Sequence, residues 1–166
     1  MHPLRRAARA ATLVALVGAS TLVSAGSVAA ADPPGLYFLD VASCAVFDDA
    51  GNVLASPVVP AGSELVAEQG WLTSTHGQLK SFLINATWIL TINDQSIDVR
   101  QDLFGPINLG PIWGVFFSHS AGTLGAGDAI HAHYDIVLRA ASFDGTVHYP
   151  IGSVYGGGVD CTVTGA

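Results

Sequence analysis

Apolar and polar residues alternate with a period of two along several stretches of the chain, the pattern of strands that bury one face. The longest such stretch is Phe82–Ile92. Its apolar positions, which would share one face of a strand, are Phe82, Ile84, Ala86, Trp88, Leu90 and Ile92. Asn93 and Asp94 supply turn chemistry, and the alternation resumes with Ile97 and Val99. The pattern therefore predicts a strand followed by a hairpin.

A second alternating stretch, Ile130–Leu138, also predicts a half-buried strand. Its inward positions would be Ile130, Ala132, Tyr134, Ile136 and Leu138, and its outward positions His131, His133, Asp135 and Arg139. Ile112–Ser118 is densely apolar, which fits either a strand buried on both faces or an exposed aromatic patch. Earlier strands are expected at Leu36–Val41 and Cys44–Phe47. No segment has a convincing helical period, so we expect strands and turns without a helix.

Three five-residue segments share one arrangement, with an apolar residue three positions before a glycine that is followed by Ser or Asp. They are Val59–Ser63, Leu124–Asp128 and Tyr149–Ser153. Because the similarity ends after five residues, it predicts a shared corner turn that leads into a strand, not an internal repeat. Seven to nine short strands separated by such turns predict an all-β fold, a two-sheet antiparallel β-sandwich of immunoglobulin-like type. A closed β-barrel or a jelly roll is the runner-up.

The first 31 residues have the three zones of a secretion signal peptide. Arg5, Arg6 and Arg9 give a positive start, an apolar stretch follows, and small residues precede Asp32. The apolar stretch is shorter than the roughly 20 residues that a membrane-spanning helix needs. We therefore expect residues 1–31 to be removed and residues 32–166 to form a single β-sandwich domain, secreted and without an integral membrane segment.

Removal of the signal peptide would make the chain strongly acidic. Three basic residues remain, Lys80, Arg100 and Arg139, against thirteen acidic ones, so the formal net charge is −10. Such a surface repels phosphate backbones, which argues against nucleic acid as a partner, and it favours cationic partners.

Cys44 and Cys161 are the two cysteines of the chain. In an exported protein of this size they are expected to form a disulfide, because an oxidising compartment preserves the bond. Cys44 lies in the first predicted strand region and Cys161 in the last. The two ends of the domain should therefore be neighbours.

His131 and His133 are the candidate metal ligands. Alternate residues of a strand project from the same face, so both imidazoles could reach one transition metal, the only cofactor that the sequence suggests. Asp135 lies next along that face, and neighbouring strands could contribute His119 or His148. The competing interpretation is two surface histidines on a solvated face, with no cofactor.

The sequence carries no recognisable catalytic constellation, since it contains no Gly-x-Ser-x-Gly elbow. The two glutamates, Glu64 and Glu68, flank Val66 on what the spacing predicts to be one exposed strand face. We therefore expect a secreted, non-enzymatic extracellular module that binds a protein or carbohydrate or has a structural role. The alternative is a metal-binding protein or metal-dependent enzyme that uses His131 and His133.

Four aromatic residues are the first candidates for a contact surface, although burial is the stronger expectation for each of them. They are Trp71, Trp113, Phe116 and Phe117.

Overall fold

The structure is a computed structural model that describes residues 32–155 and 159–166. The described residues belong to one compact unit. The predicted signal peptide, residues 1–31, lies outside the described residues. Within the described ranges, no helix combines the length and the hydropathy that a membrane span requires.

Strands dominate the described part of the chain, which also contains one α-helix and one turn of 3₁₀ helix. In chain order the elements are β1 (Leu36–Asp40), β2 (Ala45–Asp48), β3 (Val58–Val59), β4 (Ser63–Thr73), α1 (His76–Asn85), β5 (Ala86–Ile92), β6 (Gln95–Asp98), the 3₁₀ turn (Val99–Asp102), β7 (Leu103–Asn108), β8 (Trp113–Leu124), β9 (Ala129–Leu138), β10 (Ser142–Phe143), β11 (His148–Tyr149), β12 (Val154–Tyr155) and β13 (Cys161–Gly165). Nine of these strands have four or more residues, and the total of thirteen described strands exceeds the seven to nine that the sequence predicts. The other four have two residues each, too few to leave an alternating pattern.

The first sheet has five strands in the order β2-β1-β4-β8-β7. The β1–β4 pairing is parallel and the other pairings are antiparallel. β4 and β8 pair along their lengths, from Ser63 opposite Leu124 to Thr73 opposite Trp113. The apolar stretch Ile112–Ser118 thus belongs almost entirely to β8, a central strand of this sheet.

The second sheet follows the order β3-β13-β9-β5-β6, and β12 also pairs with β9. β9 confirms the predicted strand at Ile130–Leu138 and has the predicted alternation of burial. The β5–β6 hairpin is also confirmed. Asn93 and Asp94 at its turn have φ angles of 47° and 66°. Both values are positive, as a two-residue type I′ turn requires.

The two sheets pack against each other, which confirms the predicted β-sandwich. Large aromatic side chains fill the space between them. Trp88 is fully buried, and its ring centroid lies 6.3 Å from that of Phe117 and 6.2 Å from that of Tyr134. Because Phe117 belongs to the first sheet and Trp88 and Tyr134 to the second, this aromatic cluster joins the two layers.

Two predictions are wrong for residues 76–85. One is that the chain has no helix, and the other is that a strand begins at Phe82. The chain forms α1 there, and the strand β5 begins only at Ala86. The Thr75 side chain accepts a hydrogen bond from the Gln78 backbone while the Gln78 side chain accepts one from Thr75, a capping box that fixes the helix start. Phe82 is buried in a stack on Trp71, with ring centroids 4.1 Å apart, whereas Ile84 is 66% exposed. The alternation of Phe82 and Ile84 therefore does not reflect a shared face.

The predicted disulfide between Cys44 and Cys161 is present, across a sequence separation of 117 residues. Cys44 lies in the turn between β1 and β2, at the edge of the first sheet, and Cys161 begins β13 in the second sheet. The bond therefore ties the beginning of the sandwich to its end and links the two layers covalently.

The three corner turns predicted from their common spacing share one backbone geometry. In each, the backbone N–H after the glycine donates to the carbonyl three residues earlier; the N···O distances are 3.1 Å at Ser63, 3.1 Å at Asp128 and 3.2 Å at Ser153. The glycine at the third position of each turn has a φ between 78° and 87°. This conformation favours glycine, and each turn leads directly into a strand, as predicted.

Candidate binding surface on the first sheet

His131 and His133 project from the outer face of the second sheet, and both are held by neighbouring side chains. Nδ1 of His131 lies 3.0 Å from Oγ1 of Thr162. Nδ1 of His133 lies 2.9 Å from Oδ1 of Asp160, and its Nε2 lies 3.3 Å from Oδ1 of Asp135. His133 thus sits between two carboxylates, while His131 has a hydroxyl partner.

The two other candidate histidines lie elsewhere. His119 is on β8 in the first sheet, with its Nδ1 2.7 Å from Oδ2 of Asp102. His148 is on β11, and its ring stacks on Phe143 with centroids 4.3 Å apart. In residues 32–155 and 159–166, no three or more His, Cys, Asp and Glu side chains are grouped so that they could hold a metal ion.

The four aromatic candidates differ in their burial. Trp71 and Phe117 are buried in the core, which agrees with the stronger expectation. Trp113 is half-buried, with its ring 4.6 Å from that of His76. Phe116 is half-buried on the outer face of the first sheet. Phe116 is therefore the candidate that leads to an accessible surface.

An exposed aromatic pair lies on that outer face, because residues paired across neighbouring strands project from the same side of a sheet. Phe104 of β7 pairs with Phe116 of β8, which in turn pairs with Gly70 of β4. The two rings stack with centroids 5.8 Å apart, and Phe104 is 49% exposed. Of the four aromatic candidates, only Phe116 belongs to this pair, and its partner Phe104 lies on the neighbouring strand.

Glycines allow the Phe116 ring to lie against the sheet. A Cβ at Gly70 would overlap the Phe116 ring, and a Cβ at Gly114 would lie 2.8 Å from its Cε2. Phe116 thus occupies the space that side chains on two flanking strand positions would take. The Phe116 ring therefore lies directly over the backbone at these two glycines.

Two carboxylates occupy the adjacent row of the same sheet. Asp40 of β1 pairs with Glu68 of β4. Together with Phe47 of β2 and the two phenylalanines of β7 and β8, they line a cleft of about 250 Å³. We call the surface formed by Asp40, Phe47, Glu68, Phe104 and Phe116 the acidic aromatic face.

The two carboxylates have different environments. Asp40 accepts hydrogen bonds from the Ala42 backbone at 2.9 Å, the Ser43 hydroxyl at 2.7 Å and the Gln69 amide at 2.8 Å. Burial raises the pKa of the Glu68 carboxyl, and the charge of Asp40 raises it further. Among the described residues, no side chain donates a hydrogen bond to Glu68 or neutralises its charge. A cation bound beside Glu68 would therefore stabilise its negative charge.

Among the residues that the structure describes, no basic side chain lines the cleft. Lys80 lies on α1, Arg100 lies in the 3₁₀ turn and Arg139 follows β9. The negative charge of the acidic aromatic face is thus left without a local counterpart.

Sequence reasoning identified part of this surface and missed the rest. Alternation along β4 predicts that Glu64, Val66 and Glu68 share one exposed face. The structure places all three on the outer face, where Glu64 is exposed and Val66 and Glu68 are half-buried. Phe104 and Phe47 were missed. The dipeptide Leu103-Phe104 before Gly105 gave a weak apolar signal, but its position beside Phe116 depends on the β7–β8 register.

Comparisons with protein-family models, with curated proteins and with solved structures find no match to this chain.

Proposed function

We propose that this chain is a secreted, non-enzymatic extracellular module that binds a protein or carbohydrate partner through its acidic aromatic face. The Cys44–Cys161 disulfide supports an oxidising compartment, where such bonds persist. The signal-peptide pattern of residues 1–31 agrees with export.

The observation that carries the proposal is the stacked pair of Phe104 and Phe116 beside the uncompensated Glu68 carboxylate. Clusters of exposed apolar residues on soluble proteins mark interaction sites, and aromatic rings are enriched at the buried centres of interfaces. A partner that covers Phe104 would remove apolar surface from water, which is worth roughly 25 cal/mol per Å². Polar groups around the rings would set the orientation of that partner.

The test is a screen of purified extracellular proteins and a glycan array with the wild-type protein and a Phe104→Ser variant. Phe104 is half-exposed, so the substitution removes the aromatic surface without opening the core. The matched control is Ile84→Ser, which changes an apolar residue of α1 that is 66% exposed and distant in the chain from this face. We expect a partner that binds wild type and the control and fails to bind Phe104→Ser.

Two results would overturn the proposal. The first is a partner that binds all three proteins equally, which would place the binding surface elsewhere. The second is the absence of any partner together with measured turnover of a substrate, which would assign the chain to the enzymes.

The second candidate function is metal binding through His131 and His133, whose side chains share the outer face of β9. Imidazole nitrogen and carboxylate oxygen are ligands for transition metals such as zinc. The test is elemental analysis of protein purified without a histidine tag. Stoichiometric Zn, Cu, Ni or Fe that the double substitution His131→Ala and His133→Ala removes would support this function, and its absence from wild type would end it.

A further inference from the structure

The first sheet has an open edge next to the acidic aromatic face. β1 ends at Asp40, opposite Glu68, while β4 continues to Thr73. Among the described residues, no strand pairs with β4 on the β1 side beyond Glu68. Beyond Glu68, β4 therefore pairs with a strand on one side only, and that strand is β8.

The backbone direction along β4 shows which groups this edge presents. The Glu64 N–H donates to the Gly35 carbonyl and the Glu68 carbonyl accepts from the Val41 N–H, so both residues turn their backbone groups toward the β1 side. Peptide groups alternate in direction along a strand. Gly70 and Leu72 therefore direct their N–H and C=O groups toward the same side, past the end of β1.

A side chain already occupies part of this edge. Oε1 of Gln69 accepts a hydrogen bond of 2.6 Å from the Gly70 N–H, and Nε2 of Gln69 donates one of 2.8 Å to Asp40. The Gln69 amide thus sits where the carbonyl of an adjacent strand would lie. Natural edge strands are protected in comparable ways, and such edges are the sites at which extended peptides add to a sheet.

Space and negative charge accompany the open edge. A cleft of about 330 Å³ follows it, lined by Gly70, Leu72 and Asp144 among others. Partial burial opposes the ionisation of Asp144, but hydrogen bonds from the backbone N–H groups of Val147 and Thr146 and from the Tyr149 hydroxyl outweigh it and hold its pKa below the usual value. Carboxylates therefore lie at both ends of the open stretch, Asp40 and Glu68 at one and Asp144 at the other.

We propose that an extended segment of a partner protein, carrying basic side chains, adds to the first sheet at Gly70–Leu72 in line with β1. The inference rests on the proposed function and names the partner class and its mode of binding. Backbone hydrogen bonds to β4 hold the segment extended, and one of its carbonyl groups replaces the Gln69 amide at the Gly70 N–H. Asp40, Glu68 and Asp144 select the basic side chains. The same segment passes beside the acidic aromatic face, because Gln69 and Gly70 line both clefts.

The probe is a seven-residue peptide that alternates valine and lysine and is blocked at both ends. Two matched peptides are used beside it, one with glutamate in place of lysine and one with alternate backbone nitrogens methylated. We expect the lysine peptide to bind wild-type protein in calorimetric titration and N-methylation to weaken binding by about tenfold or more, since it removes backbone hydrogen bonds. We expect no measurable binding of the glutamate peptide.

The matched protein variants are Leu72→Pro and Leu72→Ala. Both shorten a half-exposed side chain, and proline alone removes the Leu72 N–H, which faces away from β8. We expect Leu72→Pro to bind the lysine peptide about tenfold more weakly than Leu72→Ala does. In wild type, the peptide should slow hydrogen exchange at the Leu72 amide, a readout that does not depend on either variant folding.

Each contrary outcome identifies what fails. Equal binding of the methylated and unmethylated peptides, or no binding of the lysine peptide, overturns strand addition; the proposed function is then judged by its own screen with Phe104→Ser. A concentration-dependent dimer that Leu72→Pro abolishes also overturns the inference, because the occupant would then be a second copy of this chain.

Discussion

The absence of a side chain at Gly70 makes room for the Phe116 ring on the outer face of the first sheet. The ring covers this position so closely that any side chain there must displace it. Overpacking of this kind costs about 1–3 kcal/mol. We predict that Gly70→Ala lowers the free energy of unfolding by about this amount, measured by urea denaturation.

Gly77 provides the matched control for that prediction. It lies in the first turn of α1, and a Cβ there would meet no heavy atom within 4 Å. Alanine is the better helix former, so Gly77→Ala is expected to stabilise the protein by about 0.5 kcal/mol. Equal effects of the two substitutions would contradict the packing described for Phe116.

Glu68 is expected to destabilise the folded state at neutral pH. Burial and the charge of Asp40 raise its pKa above its ordinary value of 4.5. The native state therefore binds this proton more tightly than the unfolded chain does. The stabilisation that this proton gives the native state is fully present below the pKa of Glu68 in the unfolded chain. It is lost as pH rises through the pKa of Glu68 in the folded state.

We predict that Glu68→Gln stabilises the protein at pH 7 by less than about 1 kcal/mol, a figure that is small because solvent screens this partly exposed group. The gain should disappear near pH 3, where Glu68 is protonated in both states. The control is Glu64→Gln on the same strand and face, which should change stability by no more than about 0.5 kcal/mol. Urea denaturation at both pH values is the measurement, and destabilisation by Glu68→Gln at pH 7 would show that the folded state does not raise the pKa of Glu68.

At the scale of elements, the start of α1 depends on one side chain. The Thr75 hydroxyl accepts the Gln78 N–H in the capping box. Loss of an N-cap side chain costs about 0.5–2 kcal/mol. We predict that Thr75→Ala lowers the free energy of unfolding by about 1 kcal/mol, whereas Thr75→Ser, which keeps the hydroxyl, has little effect. An equal loss in both variants, measured by thermal denaturation, would show that the cap contributes nothing.

Helix α1 shows where the alternation of apolar and polar residues failed to predict the structure. The strands at Ala86–Ile92 and Ala129–Leu138 follow from alternation because one face of each is buried along its whole length. Phe82 and Ile84 continue the sequence alternation upstream of β5, although both lie in α1, where Phe82 is buried and Ile84 is exposed. The predicted strand therefore begins too early. The Thr75–Gln78 capping box was the sequence signal that would have indicated a helix start.

At the scale of the whole molecule, the disulfide joins the two sheets covalently. Closing a loop of 117 residues restricts the unfolded chain, and removal of a native disulfide costs about 2–5 kcal/mol. We predict a loss of this size for the double substitution Cys44→Ser and Cys161→Ser, measured by urea denaturation. Added reductant should lower the free energy of unfolding of the wild-type protein by about as much as the double substitution does. It should leave the stability of the variant unchanged.

The candidate site could be predicted from sequence only in part, because it is assembled across strands that are distant in the chain. Alternation along β4 gives the exposed position of Glu68. The pairings that bring Asp40 beside Glu68, and Phe104 beside Phe116 over Gly70, depend on strand order and register. No local pattern contains that information.

The most direct test of the acidic aromatic face as the binding surface is hydrogen exchange of the protein alone and in complex with the partner that the extracellular screen recovers. We expect slowed exchange in β4 at residues 68–72 and in β7 and β8 around Phe104 and Phe116. We expect no change around His131 and His133, which separates this surface from the histidines. Protection confined to β9 and β13, with the first sheet unchanged, would contradict the assignment of the binding surface.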